Sequence, residues 1–180
     1  MKFSEIFEEA IKASSPTLYI SSGTERDLYE KVAMALAYLK SRDSPDLEVI
    51  IDSGGGSVGS GLDIYDLIRL YQGKTTGLVI SKAASMAAVV LQACDVRKCA
   101  AHAGILIHHL STKSVSLDTM VSKRRRDKLI SEMQKDQNQL YDILVAKTGK
   151  TKAQILRECK LDRYMNAHEA KSFGLVDEVV

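Results

Sequence analysis

Ser85 has the local setting of a serine nucleophile. It stands in Lys82-Ala83-Ala84-Ser85-Met86, between an apolar run ending at Ile80 and an apolar stretch of helical composition, and its small neighbours permit close packing and access. A helix start at this point would place the Met86 N–H and the positive end of the helix dipole beside the hydroxyl, where negative charge could develop. A serine there is also a common N-cap, whose hydroxyl satisfies the first N–H groups of the helix. Taken alone, the segment favours the cap.

A general base for such a serine could come from the next apolar strand. His108 and His109 end the run Gly104-Ile105-Leu106-Ile107, and alternation along a strand sends the two rings to opposite faces, so at most one can face Ser85. Asp162, in a short segment before the last helix, could orient the base. The sequence alone does not separate this aspartate from three others, which are Asp52, Asp63 and Asp118.

The glycines Gly54, Gly56 and Gly59 follow a predicted strand and open a predicted helix, which is the spacing of a dinucleotide-binding turn. That fingerprint also requires an acidic residue at the end of the next strand, where this chain has Ser81 and Lys82. The glycine run does not continue into a P-loop, because the Gly-Lys-Thr at residues 73–75 has Ile68 where that motif requires its first glycine. Two interpretations stay open: a tight turn, or a turn that exposes backbone N–H groups towards an oxyanion.

The composition excludes several classes of protein. The 180 residues are 45% hydrophobic and 27% charged, which fits one soluble globular domain, and a net charge of +2 indicates neither a nucleic acid nor an anionic membrane as partner. Three cysteines without CxxC spacing favour reduced, buried thiols over disulfides or a metal site. An acidic N-terminus and the lack of a long apolar segment fit neither a signal peptide nor a membrane span, so we predict a cytoplasmic protein.

The apolar periodicity predicts alternating helices and strands. Predicted helices cover residues 3–11, 26–40, 58–72, 86–93, 117–147, 152–158 and 167–173, the last capped by Asn166 and stopped by Gly174. Predicted strands cover residues 17–20, 47–51, 77–80, 96–100, 105–108 and 175–179. This alternation predicts an α/β fold with largely parallel pairing. The helix over 117–147 would be roughly 45 Å long at ~1.5 Å per residue, so part of it must project from so small a core.

Four segments, in this order, resemble the proteolytic subunits of the Clp protease family. Residues 51–58, IDSGGGSV, resemble the family's INSPGGSV, and residues 83–87, AASMA, resemble its AASMG. Residues 105–109, ILIHH, resemble its VMIHQ, while DRYMNAHEA from 162 and GLVD from 174 resemble its DRFLSAPEA and YGLVD. No single segment is specific, but the ordered set is, and the resemblance runs from about residue 3 to the end.

The resemblance implies the fold shared by Clp proteases and crotonases, a ββα superhelix in one domain over residues 1–180, with a projecting handle helix at about 117–147. It implies a serine endopeptidase in which Ser85 is the nucleophile, His108 the base and Asp162 the orienting carboxylate. The oxyanion hole would be formed by backbone N–H groups of Gly56 and Met86.

The resemblance also implies where substrate and partners bind. An extended peptide or unfolded protein would lie between Gly56, Ser57 and Val58 on one side and His109 and Leu110 on the other. The chains would form heptameric rings, two of which could stack into a tetradecamer that encloses the active sites. The chain itself would need no cofactor, and any ATP dependence would come from a separate AAA+ unfoldase. Two alternatives share the fold: a crotonase-like acyl-CoA enzyme and a catalytically silent assembly subunit.

Several positions depart from the family pattern. Gly54 replaces a proline, and His109-Leu110 replaces Gln-Pro after the base. Residues 111–116 replace a glycine-rich strand, and Lys160-Leu161 replaces an acidic residue and arginine that help to couple the rings. Because the sequence begins directly at its first predicted helix, we expect the family's axial loops to be missing. Cleavage specificity, ring stacking and the unfoldase therefore do not follow from the resemblance.

Overall fold

The computed structural model describes residues 3–112 and 114–180, with side chains from residue 8 onward. Its helices are α1 (Phe3–Lys12), α2 (Arg26–Lys40), α3 (Val58–Arg69), α4 (Met86–Leu91), α5 (Leu117–Val121), α6 (Lys123–Thr148), α7 (Lys152–Lys160) and α8 (Ala167–Phe173). Its strands are β1 (Thr17–Ile20), β2 (Leu47–Ser53), β3 (Thr75–Ala84), β4 (Val96–Cys99), β5 (Gly104–Ile107), β6 (Arg163–Asn166) and β7 (Glu178–Val179). The predicted α/β class is confirmed.

The strands form one sheet that branches at β3. The order β1-β2-β3-β4-β7 is parallel throughout. The first half of β3 pairs with β4, and its last residues pair in parallel with β5, which in turn pairs antiparallel with β6. Because β3 is ten residues long, one strand can carry two partners in succession along the same edge. The branch β3-β5-β6 is the part that positions the candidate site.

Alternating side chains of the sheet form the main core. Ile20 of β1, Ile51 of β2 and Val79 of β3 are fully buried, as expected for strands covered by helices. Helix α4 is buried along its whole length, and α2 presents its predicted apolar face to the core through Leu28, Val32, Leu36 and Leu39. The three cysteines are reduced and buried within this apolar interior, as predicted.

The predicted single helix over 117–147 is two helices in the structure. Ser122 has an extended backbone (φ −81°, ψ 109°) and ends α5, and its hydroxyl accepts the Arg125 N–H to cap α6. Buried residues of α6 begin at Leu140, whereas none of the described residues 123–139 is buried. The front two thirds of α6 therefore project from the body, as predicted for the handle.

The segment after α7 also differs from the sequence prediction. Residues 163–166 form β6, which the periodicity did not reveal because a strand of four residues carries too little alternation. The last strand is limited to Glu178–Val179, not 175–179, because the Leu175 N–H donates to Ala170 O at 2.9 Å and completes the end of α8. The predicted capping box of Asn166 and Glu169 and the left-handed stop at Gly174 (φ 95°) are confirmed.

Candidate active site

Ser85 occupies a sharp turn between β3 and α4. Its backbone has φ 56° and ψ −125°, a region that a residue with a β-carbon rarely adopts, and its N–H donates to Leu106 O at 2.9 Å. The side chain is half-buried and makes no capping hydrogen bond to α4. The N-cap role that the segment alone favoured is therefore wrong, and the hydroxyl is not committed to the helix. Strained backbone of this kind is concentrated at functional sites.

The end of β5, which leads into His108, lies beside the turn at Ser85 because β5 pairs with β3. Ala84 is the register partner of Leu106, so the same register continued by one residue sets Ser85 opposite Ile107, the residue before His108. On the other side of β5, the antiparallel ladder ends with Ile107 opposite Arg163. One further step along each strand places His108 opposite Asp162. The ends of β3, β5 and β6, each next to one of the three sequence-predicted residues, thus meet at one edge of the sheet.

This register separates Asp162 from the other three aspartates. Asp52 belongs to β2, on the far side of β3 from β5, and Asp63 belongs to α3. Asp118 forms an ion pair with Arg125 on the handle. Asp162 has φ 47°, its N–H donates to Cys159 O at 3.2 Å, and its side chain is exposed. Aspartate is one of the few residues that tolerate this left-handed conformation.

The side chains themselves are not hydrogen-bonded to one another. Within the described ranges, no hydrogen bond joins Ser85, His108 and Asp162. Catalytic hydrogen bonds are often long before substrate binds and shorten in the complex, so this arrangement is compatible with a resting site.

The glycine loop between β2 and α3 packs against the turn at Ser85. Gly55 (φ 87°) lies so close that an added β-carbon would be 2.8 Å from both the Met86 nitrogen and the Ser85 Cβ. Gly56 (φ 152°) is equally confined, since a β-carbon there would be 2.8 Å from the Thr24 nitrogen. Across the part of the chain that the structure describes, the N–H groups of Gly56 and Met86 donate no hydrogen bond. Both N–H groups are therefore free to donate, and Gly55 holds the loop against the turn at Ser85.

Sequence reasoning missed two contacts immediately after the base. The Tyr141 hydroxyl is 2.5 Å from His109 Nδ1, with the rings edge to face at a centroid distance of 6.0 Å. The Leu110 N–H donates to the Gln137 side-chain oxygen. Burial, with a smaller contribution from Cys159, raises the pKa of Tyr141 to about 12, so its hydroxyl stays protonated. His109 is thus engaged with α6, which leaves His108 as the histidine that can serve Ser85.

Some of the backbone expected to bind substrate is already hydrogen-bonded. The Ser57 carbonyl accepts from the Thr24 hydroxyl at 3.2 Å and from the Gly61 N–H at 2.9 Å, while its hydroxyl caps α3. The Leu110 N–H is taken by Gln137. An added peptide strand would therefore have to use other backbone groups of 56–58 and 109–110.

An apolar cluster lies beside the serine, separate from the main core. Met86 and Val89 of α4 and Leu140 of α6 are buried against one another. The partly buried residues packed on this cluster are Val58, Leu62, Tyr65, Leu110 and Ile143. Through Val58 and Leu110, the cluster adjoins both the glycine loop and the segment after β5.

The sequence profile of the Clp protease family matches residues 3–180. The chain belongs to the Clp protease family. A curated relative, the ATP-dependent Clp protease proteolytic subunit of Carsonella ruddii (strain PV), is 29% identical over 181 residues, which cover 99% of this chain and 90% of the relative. A solved structure of a ClpP1 mutant from Listeria monocytogenes aligns with a TM-score of 0.84 at 20% identity, covering 97% of this chain and 95% of that one.

Membership establishes the chain as a Clp-type serine peptidase, and the structural likeness establishes the fold. The described residues contain no group of three or more His, Cys, Asp or Glu side chains that could hold a metal ion. In the same residues, no helix is both long and apolar enough to cross a membrane.

Proposed function

We propose that this chain hydrolyses peptide bonds with Ser85 as nucleophile, His108 as general base and Asp162 as the carboxylate that orients the base. The observation that supports the proposal is the register of the branch β3-β5-β6, in which the strand ends next to these three positions meet at one edge of the sheet. The uncommitted hydroxyl and the strained backbone of Ser85 support the nucleophilic role.

The reaction follows from this arrangement. The Ser85 oxygen attacks the substrate carbonyl carbon while His108 takes the hydroxyl proton, and Asp162 stabilises the imidazolium that forms. The N–H groups of Gly56 and Met86 receive the negative oxygen of the tetrahedral intermediate. His108 then gives its proton to the leaving amine, and water hydrolyses the acyl-enzyme by the same proton transfers in reverse.

We propose that the substrate is an extended peptide or unfolded protein that lies between residues 56–58 and 109–110. Its backbone would hydrogen-bond to the remaining groups of Gly56, Val58, His109 and Leu110. The half-buried Val58 and Leu110, which pack on the apolar cluster, would contact the side chain that precedes the cleaved bond. Peptides with leucine or methionine at that position should be cleaved faster than peptides with aspartate, because an apolar wall cannot solvate a carboxylate.

We propose further that the chains assemble into heptameric rings that enclose the active sites. Two such rings would join through the handle. Exposed apolar side chains of α5, the helix that precedes α6, support this assembly. Leu117, Met120 and Val121 are each more than half exposed. ATP dependence, named for the curated relative, would come from a separate AAA+ unfoldase acting in the cytoplasm. Native mass spectrometry tests the assembly, with masses of seven or fourteen chains expected.

The catalytic proposal is tested with a fluorophosphonate probe and a fluorogenic peptide. The wild-type chain should be labelled at a single serine and should cleave the peptide, and Ser85→Ala should abolish both. Ser81→Ala, an exposed serine on the same strand, is the matched control and should behave like the wild type. Labelling that survives Ser85→Ala would exclude Ser85 as the nucleophile. Ordered rings without labelling would favour an assembly subunit, and thermal stabilisation by acyl-CoA without labelling would favour a crotonase-like enzyme.

A further inference from the structure

We infer that Tyr141 and Gln137 of α6 are positioning residues that hold the segment after β5 and thereby keep His108 beside Ser85. The inference rests on the proposed function and deepens it, because it names what fixes the base. Neither side chain needs to touch substrate for this role.

The need for such an anchor follows from the sheet. Strand β5 ends at Ile107, so His108 lies one residue beyond the last ladder pair with β6 and two residues beyond the last pair with β3. Residues 108–112 and 114–116 form no strand or helix in the described part of the chain. Backbone that leaves a sheet without further hydrogen bonds has several accessible conformations, and a base displaced by about 1 Å can cost roughly 100-fold in rate.

Helix α6 makes hydrogen bonds to the two residues that directly follow His108 in the chain. Tyr141 holds the ring of His109 through Nδ1 at 2.5 Å, and Gln137 holds the backbone of Leu110. Positions 137 and 141 are one helical turn apart and project from the same face of α6. A single rigid helix face therefore fixes two consecutive residues, which determines the direction in which the chain leaves His108.

The anchoring side chains are themselves restrained. Tyr141 is only 4% exposed, and its packing against Leu144 and the core fixes the ring. Leu110, Gln137 and Tyr141 also line a groove of about 530 Å³ along α6, so the anchored segment forms one wall of that groove. Because Tyr141 is buried, water does not compete for its hydrogen bond to His109.

The test removes one hydrogen bond at a time in the full-length chain. Tyr141→Phe keeps the edge-to-face packing and removes only the hydroxyl, and Gln137→Ala removes the acceptor of the Leu110 N–H. Gln137→Glu keeps an acceptor oxygen at the same distance along the side chain. Tyr71→Phe is the matched control, since its hydroxyl donates to Pro45 O at 2.6 Å, away from the segment after β5.

The readouts are the rate of fluorophosphonate labelling, kcat and KM for a peptide, and the melting temperature. We expect Tyr141→Phe and Gln137→Ala to lower the labelling rate and kcat by about 3- to 10-fold each, with KM within about twofold, since each loses one hydrogen bond. Gln137→Glu should restore most of the rate, and Tyr71→Phe should retain it.

Wild-type labelling rates in both Tyr141→Phe and Gln137→Ala would overturn the inference while leaving the proposed function intact. An equal loss in Tyr71→Phe would also overturn it, because the effect would then reflect general stability. A wild-type chain that is not labelled at Ser85 would overturn the proposed function and, with it, the positioning role.

Discussion

The backbone of Ser85 provides a direct test of strain at the nucleophile. A non-glycine residue at φ 56° and ψ −125° costs about 1–3 kcal/mol, because its β-carbon is crowded by the neighbouring peptide groups. Ser85→Gly removes the β-carbon, whereas Ser85→Ala keeps it, and both variants lack the nucleophile. Glycine loses more backbone entropy on folding, by about 0.5–1 kcal/mol. We therefore expect Ser85→Gly to be about 0.5–2 kcal/mol more stable than Ser85→Ala.

This difference is measured by urea denaturation and by the melting temperature. For a chain of this size it corresponds to a melting temperature about 1–8 °C higher for Ser85→Gly. Both variants must be compared at one protein concentration and with the same native mass, because assembly contributes to apparent stability.

The neighbouring position supplies the control. Ala84 ends β3 without a positive φ, so Ala84→Gly should lower stability by about 0.5–1 kcal/mol. If Ser85→Gly were no more stable than Ser85→Ala, the turn would store no strain. The link between this backbone and a functional role would then fail.

Three further outcomes follow from the structure. Gly56→Ala should lower the labelling rate by about 100-fold or more, because a β-carbon at φ 152° would displace the loop that carries one oxyanion donor. Burial raises the pKa of Asp177, but hydrogen bonds from Arg97 outweigh it and hold that pKa below its ordinary value of 3.8. The stability advantage of the wild type over Asp177→Asn, measured by urea denaturation across pH, should therefore be complete above about pH 5 and decline as pH falls below about 4. A thiol reagent at pH 8 should modify the cysteines only after unfolding, since burial raises the pKa of all three; these are Cys94, Cys99 and Cys159.

Most helices and their ends could be predicted from the sequence because each depends on residues that are close together in the chain. The apolar face of α2, the capping box at Asn166 and the glycine stop at Gly174 each depend on residues within one or two helical turns. The break at Ser122 was missed because no glycine or proline marks it, and only the cap geometry reveals it. Strand β6 was missed for a different reason, since its four residues become a strand only by pairing with β5.

The sequence by itself determined the α/β class, the buried reduced cysteines and, through four ordered segments, the family and the three candidate catalytic residues. Ser85 read in isolation favoured a helix cap, and Asp162 could not be told from three other aspartates. Only the tertiary structure showed that Ser85 makes no helix cap and that the ends of β3, β5 and β6 meet, because strand register links residues that are 23 and 54 positions apart in the sequence. The contacts of Tyr141 and Gln137 with the segment after His108 likewise could not be predicted from the sequence, because a hydrogen bond between distant segments leaves no periodic pattern along the chain.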